Sequence, residues 1–259
     1  MDLKLLASLT SVLRRTLLTM IDSTGFGFVS PSVAYLDVLT ALYFGEDHGR
    51  PVLQYDSTKP QWEGRDAVVL SSEEAMPAWF VCLRQAGFRV GEKLNEPLTV
   101  KIPGVDAPIG SSGQGLAIGV GMAQAFLSDK KTNRVFLIVG DTDIYHGEFW
   151  EAAMRAGYER LERLIVICAH TGDAKIQPLE AKFEACRFKV IKIMDGHEGA
   201  QLVDAIARAK ETSRQPTVIL APVILGKGIP FAEGKDLYRR AAFSKEEMAT
   251  ALGQSMKSY

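Results

Sequence analysis

Residues 134–143 read RVFLIVGDTD, residues 146–163 read HGEFWEAAMRAGYERLER, and residues 164–176 read LIVICAHTGDAKI. The first and third stretches open with apolar runs of strand length and end in small and polar residues. The middle stretch has helical spacing of its apolar residues, namely Phe149, Ala152, Ala153, Ala156 and Leu161. A strand, a helix and a strand within about 40 residues predict a βαβ unit, whose handedness brings both strand ends to one edge of a parallel sheet.

That edge is the predicted site. Asp141 ends the first strand and Thr171 follows the second. Ligands of open α/β sheets bind outside the carboxyl ends of the strands. We therefore expect the ligand to bind near Asp141 and Thr171.

The rest of the chain continues the alternation of strand and helix. AVVLS (67–71), KVIKIMDG (189–196) and PTVILAPV (216–223) read as strands, with helical patterns between them. This pattern predicts an α/β fold, a parallel sheet with helices on both faces. A length of 259 residues suits one large domain, residues 1–259.

Two local predictions concern the amino-terminal helices. Residues 3–22 form an amphipathic helix, on which Arg14 and Arg15 are expected to face solvent. Ser30 is the expected N-cap of the next helix, with Pro31 at its first position.

Composition argues against several classes of partner and indicates where in the cell the protein is expected. The formal net charge is −1, which gives no reason to expect nucleic acid or an anionic membrane as partner. The amino terminus does not read as a signal peptide, and no apolar run approaches membrane-spanning length. Cys82, Cys168 and Cys186 form no CxxC motif, so reduced thiols in a cytoplasmic protein are expected.

Several segments, in order, resemble the amino-terminal module of transketolases, which binds the diphosphate of thiamine diphosphate. They are EGRDAVVLS, PGVDAPIGSSGQGLAIGVGMAQA, GDTDIYHGEFWEAAMRA, MDGHEGAQLVDAIARAK with QPTVILA, and GKGIPF, spread over some 200 residues. In that family the cofactor is clamped between this module and a pyrimidine-binding module that follows it. Because the chain stops at residue 259, the resemblance implies a split enzyme. A partner subunit is expected to carry the pyrimidine-binding half, in an α2β2 heterotetramer.

The resemblance also implies a Mg²⁺ site, since Mg²⁺ prefers oxygen ligands beside a diphosphate. The family motif Gly-Asp-Gly falls on Gly140, Asp141 and Thr142, and Asp141 is the expected carboxylate ligand. The family's asparagine ligand falls on Thr171, whose hydroxyl is a weaker ligand than an amide oxygen. The backbone carbonyl of Asp173 would complete the protein ligands.

Cofactor contacts follow from the same resemblance. Gly110, Ser112 and Gly113 correspond to the family's glycine-rich cofactor loop. Glu74 stands where the family has a histidine that contacts the diphosphate, and Arg239 stands near the place of another. A carboxylate beside a diphosphate repels it unless it is protonated or paired, so we expect Glu74 to pair with Arg239 or Arg240.

Two residues are candidates for catalysis through the same resemblance. His146 replaces a family glutamate and Glu151 keeps another, and both are expected to serve a proton network. A helix-start histidine that faces solvent or a subunit interface is the alternative for His146. His170 and His197 are interpreted as residues without a catalytic role.

The implied function is transfer of a two-carbon ketol or acyl unit by the diphosphate-binding subunit of such an enzyme. Gly27-Phe28-Val29 stands at the family's Gly-His-Pro, so contacts to sugar hydroxyls are lost and an ordinary ketose phosphate is not the expected donor. A 2-oxo acid is one possible acyl donor, in specialised metabolism. Two alternatives stay open: a catalytically degenerate structural or regulatory subunit, and a 2-oxo acid dehydrogenase-like α subunit.

Overall fold

The computed structural model describes residues 2–25, 28–91, 94, 98–108 and 111–254. Within these residues the helices are α1 (Leu3–Thr24), α2 (Val29–Phe44), α3 (Met76–Gln85), α4 (Gln114–Ser128), α5 (Asp141–Ile144), α6 (Gly147–Tyr158), α7 (Leu179–Ala185), α8 (Gly199–Glu211) and α9 (Lys245–Gln254). The strands are β1 (Glu46–Asp47), β2 (Arg50–Pro51), β3 (Ala67–Leu70), β4 (Val135–Gly140), β5 (Leu164–His170), β6 (Lys189–Lys192) and β7 (Thr217–Pro222).

Five of these strands form one parallel sheet in the order β3-β4-β5-β7-β6, while β1 and β2 form a separate antiparallel pair. β4 and β5 are direct neighbours, with Gly140 opposite Ala169. The predicted βαβ unit is therefore present, and α6 is its crossover helix. Both strands end at the same edge of the sheet.

Helices cover both faces of the sheet, which confirms the predicted fold class. On one face Leu17, Leu39, Trp79 and Ile206 of α1, α2, α3 and α8 share a core with Ile138. On the other face Leu116, Phe149 and Phe183 of α4, α6 and α7 share a core with Leu137. Leu137 and Ile138 are consecutive in β4, so the alternation of side chains along a strand divides the two cores.

The start of α2 differs from the prediction. The helix begins at Val29, and Phe28 occupies the N-cap position in the left-handed backbone region. The N–H of Ser32 bonds to the Phe28 carbonyl at 3.0 Å, so the helical ladder starts before Ser30. Ser30 and Pro31 are buried in the first turn because α2 is enclosed on nearly every side by neighbouring elements.

The prediction for Arg14 is also wrong, although Arg15 is exposed as expected. Arg14 is only 5% exposed and its guanidinium contacts both carboxylate oxygens of Asp37 in α2 at 3.2 Å. A buried charge requires such a partner, and packing of α1 on α2 supplies it.

Two of the family-like motifs are joined by an ion pair. The guanidinium of Arg65, from EGRD, pairs with the carboxylate of Asp106, from PGVDAP. The same carboxylate accepts the Val68 N–H at 3.0 Å. These contacts tie the described part of the segment before α4 to the start of β3. Among the described residues, no helix combines the length and apolar character needed to cross a membrane.

We expect Gly157→Ala to destabilise the fold and Gly121→Ala, its matched control, to stabilise it. A Cβ on Gly157 in α6 would lie 1.9 Å from the Cys186 carbonyl oxygen, whereas one on Gly121 in α4 meets nothing within 4 Å. Overpacking costs about 1–3 kcal/mol, and replacing glycine by alanine in an open helix gains about 0.5–1 kcal/mol. Urea unfolding of both variants measures the difference. Equal stability of the two variants would contradict the packing of α6 against residue 186.

Candidate functional site

The ends of β4 and β5 bring Asp141 and Thr171 into contact. The Thr171 hydroxyl donates to Asp141 Oδ2 at 2.7 Å, and the Thr171 N–H lies 3.1 Å from both carboxylate oxygens. Asp141 is the first residue of α5, directly after β4. The predicted proximity of these two side chains is therefore present in the structure.

This pair has a geometry that a magnesium ion can use. Neighbouring ligands of an octahedral Mg²⁺ are about 2.9 Å apart when each lies about 2.1 Å from the metal. The 2.7 Å between Asp141 Oδ2 and Thr171 Oγ1 is close to that separation. No group of three or more His, Cys, Asp or Glu side chains in the described ranges could hold a metal. A metal here would need backbone, hydroxyl and ligand oxygens besides Asp141, which is how Mg²⁺ binds next to phosphates.

Asp173 is placed beside this pair, and its side chain is already engaged. Its carboxylate accepts the Tyr145 hydroxyl at 2.6 Å and the Lys175 N–H at 2.9 Å. The hydrogen bond from Tyr145, followed by that from Lys175, lowers the pKa of Asp173. The predicted ligand is the backbone carbonyl of Asp173, and these side-chain contacts hold the turn that carries it.

Arg239 bridges the two carboxylates of the site. Its Nη1 lies 3.0 Å from Glu74 Oε2 and its Nη2 lies 3.6 Å from Asp141 Oδ2. Glu74 is 3% exposed, and its other oxygen, Oε1, has no hydrogen-bond partner. Burial raises the pKa of Glu74, and the nearby Arg239 opposes that rise. The ion pair expected for Glu74 is thus formed with Arg239.

Asp143 joins the glycine-rich loop to the end of β4. Its Oδ1 accepts the Ser71 hydroxyl at 2.6 Å and the Gly113 N–H at 2.8 Å, and its Oδ2 accepts the Gly140 N–H at 2.8 Å. Burial raises the pKa of Asp143, and these three hydrogen bonds lower it. All three contacts hold backbone or side chains of the site in place, so Asp143 is a supporting residue of the loop.

Close packing explains two of the glycines. A Cβ on Gly140 would lie 1.7 Å from the hydroxyl of Tyr35, which reaches the site from α2. Gly113 has a φ of +91°, and a Cβ there would lie 2.6 Å from the Cβ of His146. Both positions require glycine because protein atoms already fill the space.

The remaining predicted residues lie around this centre. Thr142 follows Asp141, and its buried hydroxyl has no hydrogen-bond partner. Ser112 is half-buried in the turn before α4. His146, at the N-cap of α6, and Glu151, one turn further, are exposed and outside the Asp141 cluster. The last of the predicted set, Gly110, lies outside the described residues.

A cleft of about 540 Å³ opens beside the cluster. It is lined by Thr171, by Val223, Ile224 and Leu225 after β7, and by Gly234 and Asp236. A larger cleft of about 870 Å³ lies near the amino end of β3, where Tyr43, Tyr55 and Trp62 contribute to its wall. The smaller cleft is the candidate ligand site because it adjoins the carboxyl ends of the strands and the clustered charges.

Sequence reasoning missed Asp143, Tyr35 and Ser71. Asp143 had a local signal, since it stands three residues after Gly140 and accepts the Gly140 N–H as the acid of a capping box does. Ser71 also had a signal, because it directly follows β3 as Asp141 follows β4, and neighbouring parallel strands end at one edge of the sheet. Tyr35 had none, because α2 reaches the site only through its packing on the sheet.

Comparison with known proteins agrees with the resemblance. Residues 36–256 match the family described as transketolase, thiamine diphosphate binding domain. The chain is 33% identical to a 6-deoxy-6-sulfo-D-fructose transketolase subunit from Clostridium sp. (strain MSTE9), over 95% of this chain and 94% of that protein. It is 26% identical to an apulose-4-phosphate transketolase subunit from Phocaeicola vulgatus, over 85% of this chain and 83% of that one.

A solved structure shares the fold. The transketolase of Campylobacter jejuni superposes with a TM-score of 0.84 at 25% identity, covering 99% of this chain. The chain spans only 43% of that transketolase. The family that the sequence motifs indicated is therefore confirmed, and the fold is that of the corresponding part of a longer enzyme.

We expect Arg239→Met to destabilise the chain at neutral pH by about 1–3 kcal/mol, because it leaves buried Glu74 without its partner. A carboxyl whose pKa is raised in the folded chain stabilises the fold below its unfolded-state pKa and loses that contribution as the pH rises through its folded-state pKa. Removing Arg239 raises the Glu74 pKa further. The deficit relative to the wild type should therefore grow as the pH rises from about 4 to about 7.

Urea unfolding at both pH values measures this deficit. Glu74→Gln in the Arg239→Met background should restore stability at neutral pH, because the amide carries no charge. Arg15→Met, at an exposed position of α1, is the matched control and should have little effect. A deficit independent of pH would contradict the Glu74–Arg239 pair as its cause.

Proposed function

The chain belongs to the family of transketolase thiamine diphosphate-binding domains, and from this premise we propose that it is the diphosphate-binding subunit of a two-component transketolase-like transferase. The observation that carries the proposal is the cluster at the carboxyl edge, where Asp141 contacts both Thr171 and Arg239. One carboxylate between a hydroxyl and a guanidinium offers a place for a divalent cation, and cation and guanidinium together attract a polyanion. A metal-bound diphosphate has that chemistry.

In this proposal Asp141, the Thr171 hydroxyl and the Asp173 carbonyl hold Mg²⁺. Arg239 and the buried Thr142 hydroxyl bind diphosphate oxygens, and the loop of Gly110, Ser112 and Gly113 supports the cofactor, next to Gly140. Glu74 keeps Arg239 in place, so that its own negative charge stays compensated. When bound, thiamine diphosphate would supply the nucleophilic chemistry toward the donor carbonyl, and the residues named here would hold and orient it.

His146 and Glu151 have a proposed role in moving protons toward a partner subunit. Both side chains are exposed; His146, at the N-cap of α6, lies against Gly113, and Glu151 lies about one turn further along the helix. A proton network between two subunits requires groups at their interface. The positions of His146 and Glu151 support a role in proton transfer at the interface. They do not support direct contact of these side chains with the Asp141 cluster.

The proposed partner carries the pyrimidine-binding module and covers the exposed face of α4 and α6. That face presents apolar side chains to solvent, among them Leu127, Met154 and Tyr158, the last 70% exposed. Such patches are typical of subunit interfaces. The chain covers most of the length of two relatives that are named as transketolase subunits. This coverage supports a split enzyme in which the chain is one module. We propose an α2β2 heterotetramer for the assembled enzyme.

We also propose a reducing compartment such as the cytoplasm, which the three free cysteines support.

For the donor we propose a specialised ketose from which a two-carbon ketol unit is taken. The relatives that cover this chain are named for 6-deoxy-6-sulfo-D-fructose and apulose-4-phosphate, and these names favour ketol transfer over acyl transfer from a 2-oxo acid. Phe28 stands at a family histidine that contacts sugar hydroxyls, so the contacts to an ordinary ketose phosphate are altered.

A catalytically degenerate subunit is the second candidate. One observation favours it: the guanidinium of Arg239 already compensates the negative charge of Asp141. Native mass spectrometry of the tagged chain from its source cells separates the two. A stoichiometric partner with bound thiamine diphosphate and magnesium supports the enzyme, whereas a partner that stays cofactor-free in excess thiamine diphosphate and Mg²⁺ supports the degenerate subunit.

We expect Asp141→Asn to abolish magnesium-dependent thiamine diphosphate binding by the assembled complex. Thr171→Val should weaken it about tenfold, a loss of roughly 1.4 kcal/mol, because it removes the hydroxyl ligand and keeps the Asp141 carboxylate. Titration calorimetry at varied Mg²⁺ measures both. Asp204→Asn, on the exposed face of α8, is the control and should bind as the wild type does. Unchanged binding by Asp141→Asn would exclude Asp141 as the ligand.

A further inference from the structure

A second group of buried charges lies apart from the carboxylate cluster, where α1, α2 and the loop before α8 meet. The side chains of Arg14, Asp37 and His197 are each less than a tenth exposed. Asp37 accepts hydrogen bonds from Arg14 Nη2, 3.2 Å from each of its oxygens, and its Oδ2 lies 2.7 Å from His197 Nδ1. Buried ionic groups are arranged this specifically only where packing fixes all of them.

The contacts of His197 determine which of its nitrogens carries the proton. The backbone N–H of Ile224 lies 2.8 Å from His197 Nε2 and can only donate, so Nε2 accepts and carries no proton. Nδ1 must then carry the proton and donate it to Asp37. His197 is therefore neutral in this arrangement, and Arg14 balances the charge of Asp37.

The segment that His197 holds is the family-like turn after β7, residues 224–228. Arg14 Nη1 donates to the Lys227 carbonyl at 2.9 Å, and the Gly226 N–H donates to the Ser30 carbonyl at 3.0 Å. A Cβ on Gly228 would lie 2.4 Å from Arg14 Nη1, which shows how closely the arginine packs on the turn. The turn is thus attached to α1, to α2 and to the His197 loop.

The same turn begins the arm that carries Arg239, which we define as residues 224–243. Glu233 in the arm accepts the Gly228 N–H at 3.1 Å and the Lys227 ammonium at 3.2 Å. Further along, the rings of Phe231, Tyr238 and Phe243 pack against one another. Because the arm is internally bonded, the position of its first turn affects the position of Arg239.

We propose that His197 is a positioning residue: its neutral Nδ1–H form holds the 224–228 turn and thereby presents Arg239 to Glu74 and Asp141. Protonation of Nε2 would convert the acceptor of the Ile224 N–H into a donor, and two donors cannot bond. Acidification therefore breaks the contact with Ile224 and loosens the turn, which Arg14 and Ser30 still hold. The role of His197 in holding the turn does not depend on the function proposed above. Its consequence for diphosphate binding does rest on that function.

The charged groups around His197 come from every element packed on it. Asp37 and Arg14 face it from α2 and α1, Asp195 and Glu198 flank it in its own loop, and Glu233 with Lys227 lies on the turn. The Ile224 N–H donates to Nε2, so protonation of Nε2 can only weaken that contact.

Amide hydrogen exchange of the full chain, followed by mass spectrometry, tests the proposal. The measured quantity is the protection factor of a peptide covering residues 222–229, that is, its slowing of exchange relative to the intrinsic rate. For the wild type this factor should fall about fivefold between about pH 8 and pH 5, as expected for one lost hydrogen bond. His197→Gln should keep the protection at both pH values, because an amide offers one donor and one acceptor and does not titrate. His197→Ala should lack it at both.

His48→Gln is the matched control and should behave as the wild type, because the His48 side chain is 95% exposed. Peptides from β4 and β5 report whether each variant is folded. Protection of 222–229 that is independent of pH in the folded wild type, or that survives in folded His197→Ala, would overturn the proposal.

A second readout separates this proposal from the proposed function. Thiamine diphosphate affinity of the assembled complex should fall at acid pH for the wild type more than for His197→Gln. If no cofactor binds at any pH, the proposed function fails while the exchange result still decides the role of His197.

Discussion

The parallel pairing of β4 with β5 is the constraint on which the carboxyl edge depends. Gly140 lies opposite Ala169, so Asp141 and Thr171 leave the sheet side by side although they are distant in the chain. Both strands are apolar and buried on both faces, and a slip in register would move every side chain to the wrong face. Hydrophobic burial thus fixes the separation of two polar side chains, and their hydrogen bonds have only to refine it.

Two acids on the short helix after β4 have different roles because of helical geometry. Residues two apart on a helix point in widely different directions. Asp143 points inward and accepts three hydrogen bonds that hold Ser71, Gly113 and Gly140. Asp141 points toward the edge, where it contacts Thr171 and Arg239. The inner acid gives the loop its position, and the outer acid is the one that we propose as a metal ligand.

Charged contacts fix the arm of residues 224–243 at two places. Its first turn is attached to His197 and Arg14, and Arg239 is attached to Glu74 and Asp141. Buried charges require partners in defined geometry, so these contacts determine the path of the arm more sharply than apolar packing would. The cleft beside Thr171 is bounded by this arm, and its shape therefore depends on these charged contacts.

The sequence by itself determined the α/β class and the meeting of Asp141 with Thr171, because strand and helix periods and βαβ handedness are legible in the chain. Its ordered motifs determined the family by resemblance, and that resemblance placed Glu74 beside a diphosphate, where a carboxylate needs a compensating cation such as Arg239 or Arg240. It did not determine that α2 begins at Val29, that Tyr35 packs on Gly140, that Asp143 holds the loop, or that Arg14 is buried against Asp37. The features of α2, Tyr35 and Arg14 arise where α1 and α2 pack on the sheet, and those of Asp143 arise where the loop before α4 meets the end of β4. They join residues far apart in sequence, and no local pattern encodes which side chains such packing brings into contact.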